Sequence, residues 1–293
     1  MKFILNRIVN RMMKGGFRRA TYPLVGVLFA VGAASVAGGQ IPTGIRDWDD
    51  GVKYSRGQNV VPVFEGWVAN PDGTFSLLFG YFNRNWEENV FIPVGPDNRI
   101  EPGGPDRGQP TVFTSRRERN KFEFVVPKDF GNKEVVWTLT SRGKTERAFG
   151  ALVPQEVLTR RMVLAGAGRD FVDDDTGDEL STNVRPTVTI DPVGPVTLPN
   201  RATLAASVTD DGNVPGGYAL GRGSRRGARL SWSTYRGPAM VAFEPATSNV
   251  ANPKGGNVTT VATFAAPGSY LLRATATDAG GYITNQDVTV VVK

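Results

Sequence analysis

From residue 61 onward, apolar and polar side chains alternate in short runs separated by turn residues. Residues 61–69 end at Asn70-Pro-Asp-Gly73, a tight-turn sequence, and residues 74–82 follow, so the pair reads as a hairpin. In the second run Phe75, Leu77, Phe79 and Tyr81 share one face, the period of two expected of a strand. Residues 89–94, 111–115, 121–126, 134–140 and 145–153 continue the pattern. Phe122, Phe124 and Val126 alternate with Lys121, Glu123 and Val125, and Val135, Trp137 and Leu139 with Val136, Thr138 and Thr140. Clusters such as Glu101-Pro-Gly-Gly-Pro-Asp106 interrupt the runs. About seven short strands at this spacing predict an antiparallel sandwich over residues 61–153.

Residues 154–163 are predicted as a short helix, opening with Pro154 at a first-turn position. An acidic linker then runs to residue 185, and a second β-rich segment occupies residues 186–293. There Leu204, Ala206 and Val208 point inward, as do Leu230 and Trp232. Tyr270, Leu272, Ala274 and Ala276 share a face, and Val288, Val290 and Val292 close the segment. Strands follow strands without alternating helices, which argues against a parallel α/β sheet. The expected fold class is all-β: two antiparallel, immunoglobulin-like β-sandwich domains joined by a short helix and an acidic linker. A signal or anchor helix at residues 1–39 and an extended lead-in at 40–60 would precede them.

Four stretches carry a resemblance: Leu204-Ala-Ala-Ser-Val-Thr-Asp-Asp-Gly212, Leu230-Ser-Trp-Ser233, Ala266-Pro-Gly-Ser-Tyr-Leu-Leu-Arg-Ala-Thr-Ala-Thr-Asp278 and Asp287-Val-Thr-Val290. They resemble PKD and related bacterial immunoglobulin-like domains. The resemblance implies that Leu204 opens strand B, that Trp232 is the core tryptophan of strand C and that Tyr270 is the tyrosine-corner residue of strand F. The inter-sheet disulfide of true immunoglobulin domains is missing, and Ala206 and Leu272 would fill its place. Such modules serve as spacers, adhesins and binding units, so the likeness implies a fold and no activity. Phe64-Glu-Gly-Trp67, Gly80-Tyr-Phe-Asn-Arg-Asn-Trp-Glu-Glu88, Ile92-Pro-Val-Gly-Pro-Asp97 and Val126-Pro-Lys-Asp-Phe-Gly131 resemble segments of uncharacterised secreted bacterial proteins, which implies export.

Charge changes the picture in one respect. The chain of 293 residues carries a net charge of +6, and Lys2, Arg7, Arg11, Lys14, Arg18 and Arg19 account for all of it. The remaining chain is balanced, without the basic footprint of a phosphate-backbone binder, which speaks against a nucleic-acid partner. After the basic stretch comes the apolar run at residues 22–37, with small residues Ser35 and Ala37 suited to cleavage after Ala37 or Gly39. The alternative is retention as an anchor through residues 20–38, at the short limit for spanning a bilayer. Either way the expected location of the body is periplasmic or extracellular.

Zero histidine and zero cysteine remove histidine bases, thiol nucleophiles, structural disulfides and most zinc, copper and haem sites. No cofactor is expected; the run holding Asp173, Asp175 and Asp178 around Gly177 reads first as a solvated linker, with a calcium site as its alternative, and its spacing departs from the EF-hand pattern. Trp67 and Trp86, with Asn83 and Arg84, have the texture of a sugar-stacking platform, against a reading in which they cap the sandwich. Glu65, Glu87 and Glu88 lack the pairing across a cleft that a glycosidase needs. Arg222, Arg225, Arg226 and Arg229 lie on a Gly-rich loop suited to an acidic polysaccharide, lipid phosphates or an acidic protein, or simply to keeping the domain soluble. Gly221-Arg-Gly-Ser-Arg-Arg-Gly227 lacks the strand–helix setting of a dinucleotide site. The function expected is non-enzymatic: a secreted or periplasmic interaction or structural module of the cell envelope, with an envelope protein or polysaccharide as partner. The alternative is a carbohydrate-binding protein, with calcium dependence as a variant.

Overall fold

A computed structural model describes residues 53–159, 162–163, 184–212, 227–250, 252–279 and 281–293. The first hairpin forms as expected: β1 (Val60–Ala69) pairs antiparallel with β2 (Phe75–Asn83). Its turn is held by the Gly73 N–H on the Asn70 carbonyl at 3.0 Å, while Asp72 accepts from the Thr74 N–H and hydroxyl at 2.9 and 2.6 Å. Those two hydrogen bonds hold the Asp72 carboxyl below the usual range.

Next come β3 (Val90–Phe91), β4 (Asn98–Glu101), β5 (Val112–Phe113), β6 (Arg116–Val126), β7 (Val135–Ser141) and β8 (Lys144–Gly150). Sheet β1-β2-β6 and sheet β4-β7-β8 share a core, and β3-β5 forms a small ribbon. Phe79 is central: its ring lies 5.2 Å from Phe64, 5.4 Å from Phe122 and 6.1 Å from Trp137. Leu77, Phe79 and Tyr81 are buried, as the alternation predicts. Leu78 is buried too, because the opposite face of β1 and β2 is covered from outside. Leu158 packs there on Val68 and Leu78, with Met162 and Val163 alongside.

That cover breaks the expected helix at 154–163. The described chain makes one 3₁₀ turn at Pro154–Glu156, is extended at Val157 and sets the Leu158 N–H on the Trp67 carbonyl at 2.7 Å. Helical bonding returns at Met162 and Val163, where the Val163 N–H meets the Thr159 carbonyl at 3.3 Å. Bonding an outside partner keeps Leu158 from the intrahelical ladder, and the pull of an apolar seat outweighs helix propensity over so few residues. The expected acidic linker lies mostly outside the described residues. The strand expected at 89–94 shrinks to the two residues of β3, since Pro93 removes a ladder donor.

The second set comprises β9 (Thr187–Ile190), β10 (Ala202–Thr209), β11 (Arg229–Arg236), β12 (Val241–Glu244), β13 (Thr247–Asn249), β14 (Gly255–Phe264), β15 (Gly268–Thr277) and β16 (Ile283–Val292). Its sheets run β12-β14-β10-β9 and β13-β11-β15-β16. With β10 as B, β11 as C, β14 as E, β15 as F and β16 as G, this is the strand order of an immunoglobulin-type sandwich. Strand β14 has no counterpart among the expected runs, because its inward positions Val258, Thr260, Ala262 and Phe264 include a threonine and an alanine, a weak apolar signal. Ala206 and Leu272 are buried in the core, and Trp232 stacks on Phe243 at 6.3 Å. The Tyr270 hydroxyl donates to the Ala266 carbonyl at 2.8 Å, the bond of a tyrosine corner. Residues Val52–Lys293 form one compact unit, so the two sandwiches are halves of a body with shared contacts. Among the described residues no helix is long and apolar enough to cross a membrane.

Candidate functional site

The contacts that join the halves start from the local geometry of β11. Leu230, Trp232 and Thr234 alternate inward, into their own sandwich. Its register on β15 shifts between Thr234 and Arg236, and Tyr235 is left facing the other way. It is 2% exposed because it enters the core of the first sandwich, where its hydroxyl donates to the Gly108 carbonyl at 2.7 Å. Burial pushes its phenol up to about 12. The backbone continues the join: the Thr111 N–H reaches the Tyr235 carbonyl at 3.2 Å, and the Gly237 N–H reaches the Thr111 hydroxyl at 3.2 Å.

Two arginines flank this tyrosine. Arg236 donates to the Gln109 carbonyl at 2.8 Å and grips Asp106 through two bonds of 3.0 and 2.8 Å. The bond from Arg236 holds the Asp106 carboxyl below its ordinary range. Arg273, from β15, lays its guanidinium 3.7 Å from the Tyr235 ring centre and donates to the Lys121 carbonyl of β6 at 2.8 Å. Asp287 of β16 fixes its fork through two 2.8 Å bonds. Beside the joint lies a cleft of about 870 Å³ lined by Glu118, Lys121, Arg185, Arg273 and Asp287. One wall is β6, the edge strand of its sheet.

None of these joint residues was singled out from sequence. The available signal was an aromatic at Tyr235, on the polar phase of a strand whose apolar phase is Leu230 and Trp232.

The expected sugar platform is dispersed. Trp86 is 38% exposed, yet the Arg116 guanidinium and the Lys53 ammonium stand 4.0 and 4.4 Å from its ring centre. Trp67 is half-buried, edge-on to Phe75, with its indole N–H on the Val153 carbonyl at 2.8 Å. Asn83 is fully buried: its amide donates to the Glu88 and Phe113 carbonyls at 2.8 and 3.0 Å, and its oxygen accepts from Asn85. It holds the loop after β2 and presents nothing to a ligand, which corrects the expectation for this residue. The turn between β2 and β3 needs internal acceptors and donors, and Asn83 supplies both. Arg84 is exposed, 3.4 Å from the Asn59 side-chain oxygen. A second cavity, about 420 Å³, lies nearby against Glu88, Phe91, Asp97 and Arg142.

Arg229 is half-buried at the start of β11, while Arg222, Arg225 and Arg226 lie outside the described residues, as do Asp173, Asp175 and Asp178. Among the described residues no group of three or more acidic side chains is arranged to hold a metal ion. One acidic site is nevertheless unusual. Both carboxylate oxygens of Asp210, just after β10, are buried, and among the described residues no side chain donates to them, while the Asp211 and Gly212 backbone N–H groups lie beside the carboxylate. Burial, reinforced by the Asp278 and Asp211 carboxylates, pushes Asp210 up to about 6.

No protein-family model matches the chain, and no curated protein does. Among solved structures, a protein of unknown function from Porphyromonas gingivalis is 10% identical, over 80% of this chain and 98% of that one, with a TM-score of 0.25. The D00-D0 domain of intimin is 12% identical, over 80% and 100%, with a TM-score of 0.24. Fibronectin(III)-like modules of Clostridium thermocellum CbhA are 12% identical, over 84% and 92%, with a TM-score of 0.22. Scores this low define no shared architecture, and the functional reading rests on the geometry of the chain itself.

Proposed function

We propose that this chain is a non-enzymatic structural or interaction module of the bacterial cell envelope, exported to the periplasm or beyond. The observation that carries this reading is the joint. Tyr235 inserted into the neighbouring core, with Arg236 and Arg273 bonded to backbone carbonyls across the junction, makes a pair of sandwiches that hold one relative orientation. Such a body suits a spacer, or a platform that presents surfaces at a fixed separation. The apolar run at residues 22–37 and the balanced charge of the body support export and a partner other than nucleic acid.

The competing reading is carbohydrate binding, with calcium dependence as its variant, and the exposure of Trp86 is what favours it. Sugar stacking would require a free indole face, which Lys53 and Arg116 must vacate. The full chain is applied to insoluble polysaccharides and cell-wall preparations, with calcium and with chelator. The module reading expects no retention that depends on Trp86. Retention on one glycan that is lost in Trp86→Ala would overturn it in favour of the carbohydrate reading. Loss on chelation, abolished by Asp173→Ala with Asp175→Ala, would add the calcium site.

A further inference from the structure

The surface around Trp86 has a second use that follows from where the chain enters the fold. Residues before β1 lie against the loop after β2: the Trp86 N–H donates to the Tyr54 carbonyl at 2.9 Å, the Glu87 N–H to the Ser55 carbonyl at 3.0 Å, and the Gln58 N–H to the Asn85 side chain at 2.6 Å. The entry point at Lys53 is therefore part of the Trp86 surface. Tyr54 is 54% exposed beside it.

Cations gather on the same surface. Lys53 and Arg116 stand over the indole, Arg116 also lies 4.9 Å from the Phe82 ring, and Arg56 and Arg84 are exposed. Of the nearby acids, Glu88 is taken by Arg142 and by the Gly57 N–H at 2.7 Å, and Glu146 accepts from Asn59, while Glu87 is exposed beside Trp86. Exposed tyrosine and tryptophan interleaved with lysine and arginine fit the boundary of an anionic bilayer. There the rings sit at headgroup depth and the long basic side chains reach lipid phosphates. The upstream sequence argues for the same occupant. Only residues 38–52 separate the fold from the apolar run at 22–37, and fifteen extended residues reach about 50 Å at most.

We propose that the face formed by Lys53, Tyr54, Trp86 and Arg116 rests on an anionic membrane surface and binds lipid phosphates. The proposal rests on the envelope location proposed for the chain; an anchor at residues 22–37 would add to it without being required, and the experiment separates the two. The full chain is mixed with vesicles of zwitterionic lipid or of lipid containing phosphatidylglycerol, each carrying brominated acyl chains. Flotation with zwitterionic vesicles reports the apolar run alone. Tryptophan quenching, compared between the wild type and Trp86→Phe, reports the face.

The expected result is Trp86-dependent quenching in the phosphatidylglycerol vesicles, weakened by high salt. Lys53→Glu with Arg116→Glu should cut it about tenfold or more while the melting temperature holds. Absence of Trp86-dependent quenching in anionic vesicles would overturn the proposal, as would quenching that ignores both charge reversal and salt. Failure to float with zwitterionic vesicles, with quenching in anionic ones intact, would discard the anchor and keep the face.

Discussion

The Tyr235 hydroxyl donates to the Gly108 carbonyl in a site almost closed to water. Removing it leaves a buried acceptor without its donor, so Tyr235→Phe should lower the unfolding free energy by about 1–2 kcal/mol in urea titration, with an unchanged slope. The neighbouring Arg236–Asp106 pair should matter less, because the Asp106 side chain is 56% exposed and such pairs contribute about 0–1 kcal/mol. Asp210 makes a different case. Its carboxyl titrates near 6 when folded, above the ordinary value of 3.8, so the folded chain holds a proton there that the unfolded chain has already lost. This residue therefore favours the folded state at acidic pH, and that contribution is lost as pH rises from about 4 through about 6. Asp210→Asn should raise the melting temperature at pH 7 and bring it toward the wild-type value at pH 4. A difference between the two proteins that is constant over this range would refute the shift.

Strand β2 shows how closely elements are fitted. Its pairing with β6 changes register between Phe79 and Tyr81, around Gly80. A Cβ at Gly80 would run into the Glu65 carboxylate and the Glu118 carbonyl, beside the Glu65–Arg117 ion pair at 2.5 Å. Gly80→Ala should accordingly destabilise by about 1–3 kcal/mol, the usual cost of overpacking, measured by chemical denaturation. The alternation that makes β2 legible in sequence says nothing of this fit. Strands with large apolar residues every second position, such as β2, β7 and β15, could be read directly. Strand β14 could not, because Thr260 and Ala262 interrupt the apolar alternation between Val258 and Phe264. Nor could the outer cover at Leu158, since a single leucine after a proline carries no period. Of the candidate site residues, Trp86 is exposed as a platform residue would be, whereas Asn83 is consumed by the loop it supports. Short polar side chains look alike in sequence whether they hold a turn or greet a ligand.

At the scale of the whole molecule, the joint decides how the sandwiches can be used. Full burial of an apolar or aromatic side chain contributes roughly 1.5–3 kcal/mol, so Tyr235 outweighs the exposed ion pair beside it. Arg273 adds a second point of attachment, to the Lys121 carbonyl of β6, and two separated attachments resist rotation where one would act as a pivot. The hallmark of this account is therefore a fixed geometry between halves. The chain has no cysteine, so two spin labels can be placed without background. With Lys144→Cys in the first half and Lys254→Cys in the second, both exposed, pulsed electron–electron distance measurement reads that geometry directly. One narrow distance distribution is expected, broadening when Tyr235→Ala and Arg273→Ala are added. A broad distribution in the otherwise unaltered chain would contradict the joint and with it the reading of the protein as a stiff module.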